Sequence, residues 1–122
     1  MQSNELLSVV LAALDDGKAN DVKVIDVSAK TSITDYMVVA SGTSERHVRS
    51  LAEHVLEKAK ERGFEALGME GQNVGEWVLV DLGDTVVHVM KPQTREFYQL
   101  EKLWQGDYEV STGLPVRAAA NF

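Results

Sequence analysis

The chain has 122 residues, no cysteine, and twelve Lys and Arg against nineteen Asp and Glu, a net charge of −7. That length suits one domain with its own core, and the missing thiols exclude disulfides, thiolate metal sites and a cysteine nucleophile. An apolar share of 44% rules out a disordered chain, and the acidity argues against a broad nucleic-acid footprint and for a basic partner.

Leu6, Leu7, Val10, Leu11 and Leu14 make one stripe at helical period. Ser3 or Asn4 is the expected cap of this first helix and Gly17 its stop. Val22 to Val27 is short and β-branched, which predicts a strand. Tyr36 to Ala40 is a second strand, and its unbroken apolarity predicts burial on both faces. Ser41-Gly42-Thr43-Ser44 then turns the chain into the longest helix, with Thr43 or Ser44 as its cap and Gly63 after its end. Its inner stripe is Val48, Leu51, Ala52, Val55, Leu56 and Ala59.

A short strand is expected near residues 66–70, followed by a loop from Gly71 to Gly75. Glu76–Asp81 and Thr85–Met90 flank Leu82-Gly83-Asp84 and read as a hairpin. Pro92 suits the first turn of a last helix, with Phe97, Leu100 and Trp104 at i, i+3 and i+7. From Gly106 the periodic signals fade. The expected organisation is one domain over 1–104 and a loose tail over 105–122. The order helix, two strands, helix, strand, hairpin, helix predicts an α/β layered domain with a mixed sheet of about five strands. No apolar run reaches the roughly 18 residues of a membrane span. Met1 to Glu5 lacks the basic region of a signal peptide, so a cytoplasmic location is expected.

Sites for chemistry are sparse. Gly42-Thr43-Ser44 at a helix start could cradle an anion, but it lacks the spacing of a phosphate-binding loop, so a cap is the better reading. Asp81 and Asp84 could hold a metal, yet they bracket a turn where Asp serves the backbone. His47 and His54 are seven apart, about 10.5 Å along a helix, too far for one metal ion. His88 sits among valines, where a packed or interface histidine is favoured over a ligand or base. No metal, cofactor or catalytic residue is expected.

The hairpin says more. Trp77, Leu79 and Asp81 share one face of its first strand, and Val86, His88 and Met90 share one face of its second. Large apolar groups fall on both faces. Helices should cover one; the other must meet something else or stay exposed. Trp77, Met90, Arg95, Tyr98 and Trp104 are of the types enriched at protein interfaces.

Several blocks resemble one family: Thr31–Tyr36, Ser41–Val48, Glu70-Gly71, Trp77–Asp84, Val87–Val89 and Arg95–Trp104. Together they are similar to the ribosomal silencing factor, or Iojap-like, family over about Leu6 to Trp104. The resemblance implies a fold like the nucleotidyltransferase core without the acidic pair that would hold catalytic metal ions. It implies a non-enzymatic factor that binds the large ribosomal subunit through ribosomal protein number fourteen and keeps the small subunit from joining. Translation then falls when nutrients are short. It also implies that copies can pair as homodimers. Trp77, Leu79, His88, Met90, Arg95 and Tyr98 are the expected partner-binding residues. The alternatives are a nucleotidyltransferase-like enzyme or nucleotide-binding protein, resting on the Gly42 turn, and a dimeric adaptor with another protein partner.

Overall fold

The computed structural model describes residues 2–99. Helix α1 spans Gln2–Asp16, strand β1 Asn20–Asp26, β2 Tyr36–Ser41, helix α2 Glu45–Glu61, β3 Gly68–Glu70, β4 Trp77–Asp81, β5 Thr85–Met90, and helix α3 Pro92–Tyr98. The strands form one sheet in the order β1-β2-β5-β4-β3. Among the described residues the β2–β5 pair is parallel and the other three pairs are antiparallel. The expected mixed five-stranded α/β domain is the fold that forms.

Helices α1 and α2 cover one face. Leu6, Val10, Ala13 and Leu14 of α1 meet Val48, Leu51, Ala52, Val55 and Ala59 of α2 over Val38, Ala40, Val78, Val80, Val87 and Val89 of the sheet. This is the main core, and the helical stripes read from the sequence supply it. Leu56 is half-buried. Strand β2 is buried on both faces as its apolarity predicts. Val38 and Ala40 enter the main core, while Met37 and Val39 join Ile25, Val27 and Met90 in a second cluster on the opposite face.

Some local expectations need correction. Ser3 and Asn4 do not precede α1 but lie in its first turn, and the Asn4 side chain instead accepts a hydrogen bond from the Tyr36 hydroxyl at 3.0 Å. Gly17 follows α1, yet the left-handed residue is Lys18, at φ 65°. Gly17 is small for another reason: a side chain there would collide with the end of Leu51. Strand β1 begins two residues earlier than the β-branched run, with an irregular register between Asn20 and Lys23. It leaves the sheet through Asp26. Its carboxylate accepts from the Ser28 hydroxyl at 2.6 Å and the Ser28 N–H at 3.0 Å, which holds its pKa below the ordinary value.

Helix α3 has seven residues, none of them buried, and closes at Gln99 in the left-handed region, φ 49°. Phe97 is 79% exposed on this helix. Leu100, Trp104 and the expected tail over 105–122 lie outside the described residues.

Candidate functional site: the sheet face opposite the long helices

Side chains alternate along β4 and β5, so each strand sends one set to α1 and α2 and the other set away from them. The set pointing away is Trp77 and Leu79 of β4 with Val86, His88 and Met90 of β5. Cross-strand register fixes their neighbours: Trp77 lies opposite Met90, and Leu79 opposite His88. On the other side of β5, His88 is paired with Val39 and Met90 with Ser41 of β2. The hairpin turn sets this register. Asp81 Oδ1 accepts the Gly83 N–H at 3.0 Å, and Leu82 N–H donates to the Thr85 carbonyl at 2.9 Å.

Helix α3 returns the chain to the same face. Lys91 N–H donates to the Glu76 carbonyl at 3.0 Å, and Pro92 opens the helix. The Arg95 guanidinium then donates to the Ser41 hydroxyl at 2.9 Å. Tyr98 lies against Trp77 with ring centroids 4.9 Å apart and planes tilted by 50°. Phe97 meets Tyr98 edge-on at 4.9 Å. Trp77 in turn donates its indole N–H to His88 Nδ1 at 3.0 Å.

All six partner-binding residues expected from the sequence thus fall on one face, at two levels. Trp77 and Arg95 are half-buried and Tyr98 is 52% exposed, but Leu79, His88 and Met90 are buried, so these three lie beneath the surface and are not the direct contacts that were expected. The upper level includes Phe97, which the sequence placed on the last helix but not among the site residues. Its signal was adjacency to Tyr98 on that helix. Ser41, the anchor of Arg95, also escaped notice, because a serine at a strand end carries no interface signal of its own.

The buried histidine is the chemical exception on this face. Desolvation pushes the His88 imidazole down to about 3, because a charged ring would lose its water among apolar neighbours. His88 is therefore neutral near pH 7. A ring nitrogen that accepts the indole N–H carries no proton, so the proton of the neutral ring sits on Nε2.

The other candidates are engaged in holding the fold. Ser44 is the α2 cap, its hydroxyl accepting from His47 N–H at 3.0 Å. Thr43 N–H donates to His47 Nδ1 at 2.9 Å, and Gly42 N–H donates to the Met90 carbonyl at 3.0 Å. The Gly42, Thr43 and His47 N–H groups at this turn are thus bound within the chain. His47 Nε2 lies 2.9 Å from the Gly17 carbonyl, so this ring ties the start of α2 to the end of α1. His54 pairs with Asp16 at 2.8 Å. Among the described residues, no three His, Asp or Glu side chains converge as metal ligands.

Comparison with known proteins adds the identity of this architecture. Residues 1–121 match the family model described as ribosomal silencing factor during starvation. The chain belongs to the ribosomal silencing factor family. It is 44% identical over 99 residues to ribosomal silencing factor RsfS of Haemophilus influenzae, spanning 81% of this chain and 97% of that protein. A crystal structure of a protein from Chromobacterium violaceum superposes with a TM-score of 0.85 at 46% identity, covering 88% of this chain and 89% of the other. A mouse protein named for mitochondrial assembly of the ribosomal large subunit is 37% identical over 101 residues, spanning 80% of this chain and 44% of that protein. The family's name is that of a regulatory factor and not of an enzyme.

Proposed function

We propose that this chain silences ribosomes by docking on the large subunit, with ribosomal protein number fourteen as the contact, and so keeps the small subunit from joining. Translation falls under nutrient limitation as a result. The docking face is the aromatic face of the sheet. Trp77, Tyr98 and Phe97 are the surface anchors, Arg95 the polar contact, and Leu79, His88 and Met90 the layer that supports them. The observation that carries this reading is the Trp77–Tyr98 pair, aromatic and partly exposed on the face away from α1 and α2. Tyrosine and tryptophan anchors dominate the energy of protein interfaces. The factor acts in the cytoplasm, needs no catalytic group, and a second copy that covered the same face would compete with the ribosome.

The test is cosedimentation with isolated large subunits, followed by a subunit-joining assay with added small subunits. Wild-type chain is expected to pellet with the large subunit and to lower the yield of joined ribosomes. Trp77→Ala is expected to lose about 2 kcal/mol or more, roughly thirtyfold in affinity. A wild-type chain that stays in the supernatant sinks the reading. A Trp77→Ala chain that binds normally moves the contact to another face.

A further inference from the structure

We propose that His88 is a positioning residue: its Nδ1 holds the Trp77 indole in the one ring orientation that meets the partner. The proposal rests on the docking reading of the aromatic face and adds a role for a residue beneath that face.

The geometry supplies the reasons. Trp77 is the first residue of β4, half-buried at the strand end. Its contact with Tyr98, at 4.9 Å, holds the plane of the ring. Stacking alone does not choose between the two ways round that a ring can lie, because the outer torsion of an aromatic side chain is broad and roughly two-fold. A directional hydrogen bond does choose. The indole N–H to His88 Nδ1 bond, at 3.0 Å, is satisfied in one of the two orientations and broken in the other.

His88 is well placed to give that direction. It stands on β5, paired on one side with Val39 of β2 and on the other with Leu79 of β4. A ring at the middle of the sheet, fully buried, has no freedom to follow a loose tryptophan. It is also costly there. Among Val39, Leu79 and Met90 an apolar side chain would fill the space without the desolvation that an imidazole suffers. A polar residue that breaks the apolar pattern of a central strand marks a functional demand on the site. Fixing an anchor before binding removes the ordering cost from association, which is how preorganisation raises affinity.

The test uses the full chain labelled with nitrogen-15. The Trp77 indole N–H resonance is identified by its loss in Trp77→Phe, and its exchange with water is measured. Exchange is expected to be slow in wild type and faster by about tenfold or more in His88→Leu. His88→Asn, whose Oδ1 can accept near the position of Nδ1, is expected to restore slow exchange. Affinity for isolated large subunits should follow the same order: about tenfold weaker for His88→Leu and near wild type for His88→Asn. In a Trp77→Phe background, which keeps a ring but has no N–H, His88→Leu should cost nothing further.

A purely structural histidine would give another pattern. His88→Leu would then weaken binding equally in both backgrounds, or leave the indole exchange unchanged. Either result, or failure of His88→Asn to restore both readouts, overturns the positioning role while leaving the docking face intact. Wild-type chain that does not bind the subunits overturns the docking reading, and this proposal with it. The two-dimensional spectrum of each variant shows that it folds.

Discussion

An imidazole at position 88 has consequences beyond the tryptophan it holds. In the unfolded chain it titrates near 6.5, and in the folded chain only near 3. Between those values the unfolded state binds a proton that the folded state refuses. Stability from this residue is therefore whole above pH 6.5 and falls as the pH drops towards 3. The loss is about 1.4 kcal/mol for each unit. From pH 7 to pH 5, His88 should cost the fold about 2 kcal/mol. Urea unfolding at several pH values checks this, with His88→Asn as reference. The variant should lose less stability on acidification by about that amount, because His47 and His54 are common to both chains. Equal acid sensitivity would mean that His88 is not buried as a neutral ring. Sequence reading placed His88 among valines and favoured a packed or interface histidine. It could not pair the ring with Trp77, because that contact depends on a two-residue offset across the hairpin and on the tilt of the indole. Neither follows from alternation alone.

Elements were legible where their signal was periodic. The stripe from Val48 to Ala59 fixed α2 and its inner face, since a period of 3.6 sustained through most of a seventeen-residue helix leaves little room for another reading. The unbroken apolar run marked β2 as a strand buried on both faces. Ends were less legible, because several residues near each end could cap. At α2 the choice lay between Thr43 and Ser44, and the structure selects Ser44 through its bond to His47 N–H. Ser44→Ala should therefore destabilise the protein by about 1 kcal/mol, and replacing the Thr43 side chain alone should cost less than about 0.5 kcal/mol. The reverse order in thermal or urea unfolding would reassign the cap. Helix α3 was legible at its start, where Pro92 opens it, and less so at its end. The i, i+3, i+7 spacing set Phe97 on this helix with Leu100 and Trp104, which lie outside the described residues. The chain turns left-handed at Gln99, so a seven-residue helix presents Phe97 outward beside Tyr98. Nothing in glutamine announces a left-handed residue at that position.

The molecule as a whole is asymmetric. Two long helices seal one face of the sheet, and the other carries buried Leu79, His88 and Met90 beneath partly exposed aromatics. Alternation in the hairpin foretold that both faces would be apolar. The sheet order, with β5 inserted between β2 and β4, is not written in any single segment. Net charge is the other property of this scale. The chain carries −7, and the three charges after Trp104 (Asp107, Glu109 and Arg117) alter the total by only one. An acidic body is repelled by RNA and drawn to a basic protein surface, so its charge would steer it towards protein on a particle made largely of RNA. Steering of this kind acts on the rate of association and is screened by salt over about 10 Å at 0.1 M. The association rate of labelled chain with isolated large subunits should therefore fall by about tenfold between 50 and 500 mM salt, with the dissociation rate changing less. The screening works in the opposite sense if the chain approaches RNA: repulsion would fade, and association would quicken as salt is added. Stopped-flow traces across that range separate the two, and a rate that rises with salt would count against docking on a basic protein.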